Sequence, residues 1–315
     1  MSLTQDIRDA FMRRDNAVNQ YIILNVLVFA VLIIIRAVLF LTYGPDDPVT
    51  PNIMRQVELS SNLGVLLRHP WTLLTYAFVH AVNSPLHILF NMLNLYWFGR
   101  IIQEYLGSRR FVSLYLLGAL AGAALFLLAY NTLPTFQANA AAGQALIGAS
   151  AAVVAVIVAA ATLLPDYTFM LILFGAVRIK YIALFVVLVM SVAPLYEGNP
   201  GGGLAHLGGA LLGFVFIKQM QAGRDMGRPL HAIGGWVSGL FERRPAMQVS
   251  HRRDSVAASR PGSYGTSAAG KPGSAARAAD THPDEVDSIL DKISRSGYES
   301  LSKEEKQKLF RASQQ

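Results

Sequence analysis

Long apolar runs separated by short polar breaks dominate the first two thirds of the chain. Residues 21–41 are interrupted only by Asn25 and Arg36. At about 1.5 Å per helical residue such a run crosses a bilayer core of about 30 Å. Further apolar runs lie at 86–102, 111–130, 146–164, 179–196 and 204–220. The pattern predicts six membrane-spanning helices. Residues 167–177 are also apolar, but they follow Pro165-Asp166 and stop at Arg178 and Lys180. They read as an interfacial stretch. In the first loop, residues 42–85, Leu59, Leu63, Leu66 and Leu67, then Trp71, Leu73, Leu74 and Tyr76, alternate with polar groups. This predicts short helices lying in the outer interface. Residues 4–20 read as an amphipathic helix with Ile7, Phe11 and Met12 on one side.

Charge sharpens the division. Residues 1–220 hold 12 Lys+Arg and 9 Asp+Glu, and residues 221–315 hold 15 and 11. The front is charge-poor and the back ordinary, which excludes one uniform soluble domain. The absence of cysteine excludes a disulfide scaffold, thiolate chemistry and Cys-ligated metal. A net charge of +7 invites a nucleic-acid reading, but the front is too apolar to form a basic binding face. The basic residues instead set orientation. With the N-terminus inside, Arg8, Arg13, Arg14, Arg100, Arg109, Arg110, Arg178, Lys180, Lys218, Arg224 and Arg228 flank the spans on the inner side. Only Arg55 and Arg68 lie outside, so both termini are expected to be cytoplasmic.

Polar side chains inside spans are functional suspects, because lipid offers them no solvation. They are His87, Asn91 and Asn94 on the second span, Ser150 on the fourth and His206 on the sixth. A lone serine is more often a packing residue; an intramembrane histidine is the stronger signal. His87 and Asn91 are four apart and share a helix face. Ser150 lies among small residues, Gly148-Ala149-Ser150-Ala151-Ala152, and His206 precedes Gly208, Gly209 and Gly213. Small residues let helix backbones approach closely. Packing of span four on span six would bring Ser150 and His206 together.

Taken in order on spans two, four and six, His87-Ile-Leu-Phe-Asn91, the turn Tyr105-Leu106-Gly107, Gly148-Ala149-Ser150 and Ala205-His206-Leu207-Gly208-Gly209 resemble a rhomboid intramembrane serine protease of the six-span bacterial type. The match runs through roughly residues 71–216. The resemblance implies an all-α membrane protein, a rhomboid-like bundle in the cell's inner membrane, and cleavage of transmembrane segments of other membrane proteins. It implies Ser150 as nucleophile, His206 as its base, and His87 and Asn91 as oxyanion donors, with no cofactor or metal. The family's usual Gly-x-Ser-Gly reads Gly148-Ala149-Ser150-Ala151 here, and its frequent Trp-Arg reads Trp71-Thr72. With no carboxylate in the spans placed to orient His206, the expected machinery is a dyad. The residues before the fourth span are small and polar. Its helix is therefore expected to begin below the outer surface, with its N-terminal dipole favouring the oxyanion.

The expected organisation is an N-terminal amphipathic segment (1–20), a six-helix membrane domain (21–220), a flexible linker rich in Ser, Ala, Gly and Pro (221–282), and a C-terminal helical hairpin (283–315) with a cytoplasmic partner. In the hairpin, Val286, Ile289, Leu290 and Ile293 have helical spacing, Gly297 is a stop, and Ser302-Lys303-Glu304-Glu305 is a capping box opening a second helix. The main alternative is a rhomboid-like protein that binds transmembrane helices without cutting them, its chemistry lost through Ala151. A metal hydrolase built on His80, His87 and His206 lacks an in-span carboxylate to complete it. A transporter would want inverted repeats, and none is evident.

Overall fold

The computed structural model describes residues 16–137, 143–171, 174–196, 199–232 and 283–312. Most of the expected N-terminal amphipathic helix and most of the expected linker, from residue 233 on, lie outside these residues. The chain divides into two compact units, Met1–Pro245 and Ala246–Gln315.

Helices stand at all six expected positions of the first unit. They are α1 (Ala17–Tyr43), α5 (Pro85–Leu106), α6 (Ser108–Thr132), α7 (Ser150–Leu163), α8 (Ile179–Tyr196) and α9 (Pro200–Gln221). Among the described residues, three helical stretches, Ala17–Asp46, Ser108–Thr132 and Pro200–Gln221, are both long and apolar enough to cross a membrane. The first loop forms three short helices, α2 (Thr50–Val57), α3 (Leu63–Arg68) and α4 (Thr72–Thr75). Asn62 caps α3 by accepting from the N–H groups of Gly64 and Val65.

Two expectations need correction. The molecule is mostly helical rather than all-α. Stretch 167–177 overlaps an antiparallel pair of β3 (Thr168–Leu171) and β4 (Gly175–Arg178), in which Phe169 faces Val177 across the ladder. Gly175 takes a left-handed φ of 67° near its turn, and Asp166 binds Lys180 (2.9 Å) and Arg178 (3.3 Å) at its base. Those two cations hold the Asp166 carboxyl below its ordinary value. The apolar run at 146–164 also does not begin as helix. Ala145 and Leu146 form a strand, β2, antiparallel to β1 (Leu59–Ser60), and helix starts only at Ser150. Gly148 at φ 121° breaks the apolar run, a conformation a side chain resists.

Helix α9 is wedged between α6 and α7, and glycine makes the wedge possible. A methyl group built on Gly209 would run into the Ala151 carbonyl oxygen, and one on Gly213 into that of Ala155. One on Gly208 would lie 2.5 Å from the Ala121 carbonyl oxygen on α6. Adjacent glycines thus face two different helices, and backbone packs on backbone. The outer side of α1 is the opposite case, with Val31, Ile34, Val38 and Phe40 exposed.

The C-terminal unit forms the expected hairpin. Helix α10 (Pro283–Ser296) ends at Gly297, whose φ is 77°, and α11 (Lys303–Ala312) follows. Its capping box is reciprocal: the Ser302 N–H donates to Glu305 Oε2 (2.7 Å) and the Glu305 N–H to Ser302 Oγ (3.3 Å). Lys292 crosses from α10 to Glu305 at 2.9 Å.

The Lys292 ammonium and the Ser302 N–H hold the Glu305 carboxyl at about 2, below its ordinary 4.5. A depressed carboxylate contributes stability above its unfolded value, and that contribution is lost as pH falls through the folded one. The amide protection factors of α10 and α11 in the full chain, with the intrinsic pH dependence of exchange divided out, should therefore fall between about pH 4.5 and 2. Glu305→Gln should remove most of that pH dependence.

Candidate active site

Ser150 is the first residue of α7, so its hydroxyl sits where the helix still has unbonded N–H groups. The first ladder bond made there is from the Val153 N–H to the Ala149 carbonyl. The turn before the helix is fixed from the first loop. The Gly148 N–H donates to the Tyr76 carbonyl at 3.0 Å, and the Ala149 N–H to His80 Nε2 at 3.4 Å. Tyr76 is itself anchored. Its ring is buried, and its hydroxyl donates to the Ala119 carbonyl on α6 at 2.6 Å.

The close approach of α9 to α7 carries His206 over this turn. Its Nε2 lies 2.7 Å from Ser150 Oγ, and its Nδ1 lies 2.5 Å from the Met190 carbonyl oxygen on α8. A carbonyl only accepts, so Nδ1 carries the ring proton. In the neutral ring Nε2 is then bare and accepts from the serine hydroxyl. This is the state in which imidazole takes a serine proton. Both side chains are buried, yet they line a cavity of about 360 Å³ together with His80, Ser84, His87, Gly148, Met190, Pro194 and Asn199.

His87 faces the same cavity. The position a Cβ would take on Gly148 is 3.5 Å from His87 Nε2 and 3.6 Å from Ser150 Oγ, so the three groups meet around one small volume. Asn91 is placed differently. It is buried one turn further along α5, and its amide donates to the His87 carbonyl at 2.9 Å. It is not among the residues lining the cavity. Asn94 likewise donates to the Phe90 carbonyl on its own helix. The structure thus gathers Ser150, His206 and His87, and leaves Asn91 behind His87.

Ala151 points away from the cleft. Its methyl lies against Gly122 of α6, where an added Cβ would come within 2.6 Å of it. The extra carbon in the serine motif is housed by a glycine on the neighbouring helix. His80 and His87 rings are 6.0 Å apart. Among the described residues no three His, Asp or Glu side chains gather as a metal site.

The pattern of polar residues found Ser150, His206 and His87 but missed Tyr76, Met190 and Pro194. Tyr76 carried no signal beyond an aromatic in an amphipathic loop. Met190 acts through its backbone, which side-chain reading cannot see. Pro194 did carry one, a proline within an apolar span, which removes a ladder N–H.

Comparison with known proteins agrees with this construction. The rhomboid domain family matches residues 67–220, a range that holds Ser150, His206 and both first-loop anchors. A family of unknown function matches residues 277–315. A relative from Arabidopsis thaliana, the RHOMBOID-like protein 12, mitochondrial, is 32% identical over 164 residues, covering 49% of this chain and 47% of the relative. The chain therefore spans about half the length of that curated relative. With its long apolar helices and this domain, the protein is an integral membrane protein that carries a rhomboid domain over residues 67–220.

Proposed function

We propose that the protein is an intramembrane serine endopeptidase that cuts transmembrane segments of other membrane proteins. The observation that carries this reading is the 2.7 Å contact of His206 Nε2 with Ser150 Oγ, in a cavity that His80, Ser84, His87 and Asn199 also line. Ser150 Oγ attacks the substrate carbonyl while His206 Nε2 takes its proton. His206 then returns that proton to the leaving amine, and water enters to release the acyl group. The tetrahedral oxygen is met by unbonded N–H groups at the α7 N-terminus and by His87 from the facing wall. Each such donor contributes about 2.7–4 kcal/mol where water is scarce. Asn91, the second donor implied by the family resemblance, reaches that oxygen by leaving the His87 carbonyl.

The reading takes α1 and α5 to α9 as six crossings of a cell's inner membrane, and the excess of Lys and Arg at their inner ends supports both termini in the cytoplasm. The first-loop helices lie in the outer interface. Helix α7 has 14 residues, about 21 Å, against a core of about 30 Å. A short fourth crossing that ends near the inner face leaves Ser150 below the outer surface, in a cleft open to water from outside. The C-terminal hairpin meets a cytoplasmic partner. Its substrate helix presents an extended segment to the cleft, so small and helix-weakening residues near its outer end favour cleavage.

Purified protein in lipid should cleave a reporter transmembrane helix, and Ser150→Ala and His206→Ala should each lower the rate at least about 10³-fold. Equal cleavage by either variant would remove the proteolytic reading. The competing reading, a non-cutting helix binder disabled by Ala151, meets a separate test. Ala151→Gly should leave the cleavage rate within about twofold and lower stability by no more than about 1 kcal/mol. Gly122→Ala should lower the detergent melting temperature, and combining it with Ala151→Gly should recover most of that loss. A tenfold or greater gain of cleavage in Ala151→Gly would show that the methyl group obstructs the chemistry.

A further inference from the structure

We propose that Pro194 is a positioning residue: it releases the Met190 carbonyl from the α8 ladder, and that carbonyl orients the His206 ring. The inference rests on the proteolytic reading for its consequence, and on geometry alone for its premise.

Within an α-helix each carbonyl is bonded by the N–H four residues later. The residue four beyond Met190 is Pro194, which lies inside α8 and has no N–H to give. A proline ring also presses on the carbonyl four residues before it and tilts that carbonyl off the helix axis. Met190, Pro194 and His206 all line the same cavity, and His206 Nδ1 lies 2.5 Å from the Met190 oxygen. A freed acceptor buried in a membrane protein needs a donor, and the imidazole supplies one.

A second contact holds the two helices in register. A methyl group on Gly203 would run into the Ser191 carbonyl oxygen, so α8 and α9 touch there without side chains between them. Gly203 lies three residues before His206 on one face of α9. Ser191 follows Met190 directly. The close approach therefore delivers the adjacent carbonyl to the histidine. Proline supplies the vacancy and glycine supplies the proximity. Serine hydrolases with a triad use a carboxylate on Nδ1 to fix the tautomer; here a main-chain oxygen does so. It adds no net charge, and desolvating it costs less than desolvating a carboxylate. It also makes the tautomer depend on where α8 stands, so displacement of α8 would loosen His206.

Returning an N–H at position 194 tests this. Full-length protein with ¹⁵N-histidine, in lipid bicelles and carrying Ser150→Ala to prevent self-cleavage, should show His206 protonated on Nδ1, its signal assigned by loss in His206→Ala. Pro194→Ala should shift the ring toward a mixture of tautomers. In active protein the same change should lower kcat by about tenfold, the scale of one hydrogen bond, with KM within about twofold. Replacing residue 194 by lactic acid gives a backbone ester with neither N–H nor ring, and it should keep the Nδ1–H tautomer and most of kcat. An unchanged tautomer in Pro194→Ala overturns the proposal. So does a lactate variant that behaves like Pro194→Ala, because the ring rather than the missing donor would then be responsible. If Ser150→Ala still cleaves the reporter, the proteolytic reading falls, while the tautomer comparison still judges this inference by itself.

Discussion

Two helix backbones can touch only where no side chain stands between them. The seating of α9 on α7 through Gly209 and Gly213 is the contact on which the rest of this molecule depends. The Ala151 and Ala155 carbonyls lie where any larger residue would put its Cβ. That spacing, and not any attraction between the two polar side chains, brings His206 to Ser150. In a membrane the gain comes from close van der Waals contact between helices, since lipid tails are as apolar as the helices themselves. The neighbouring Gly208 faces α6, and Gly118 and Gly122 let α6 approach Ala155 and Ala151. The three helices thus form one rigid wedge. A hydrogen bond of 2.7 Å is then a consequence of packing that leaves the two groups no other place to be.

The cleft is finished by two main-chain carbonyls and an imidazole rather than by charges. The Tyr76 carbonyl holds Gly148, His80 receives the Ala149 N–H, and the Met190 carbonyl holds His206. Each is a neutral partner. Burying an unpaired carboxylate beside Ser150 and His206 would cost several kcal/mol even after relaxation. A chain that keeps a hydroxyl and an imidazole in contact among apolar helices gains by using dipoles that folding has already placed. The first loop takes part through Tyr76, whose hydroxyl reaches into the bundle while its carbonyl faces the serine turn.

Much of this was legible in the residues. Apolar run length located all six helices, because a 3.6-residue period and a bilayer thickness leave few alternatives. Polar side chains in those runs located Ser150, His206 and His87. The capping box at Ser302 and the stop at Gly297 marked the tail helices through local chemistry alone. What escaped was set by tertiary contact. The strand at Ala145–Leu146 exists because Leu59 and Ser60 arrive beside it from far away in sequence. The strand pair at Thr168–Arg178 looked like one apolar stretch, because Gly175 alone marks its turn. Ala151 read as an obstruction, since its partner Gly122 lies on another helix. Asn91 shares a helix face with His87, yet its amide turns back on its own helix.

The central claim is that His206 makes the Ser150 hydroxyl a nucleophile within a water-accessible cleft. The most direct measurement is covalent capture by a membrane-impermeant fluorophosphonate added from outside to sealed vesicles, with the modified peptide found by mass spectrometry. The account predicts an adduct on Ser150 in the wild-type protein, and none in His206→Ala. Failure to label Ser150 in active protein, or equal labelling once the imidazole is gone, would contradict it.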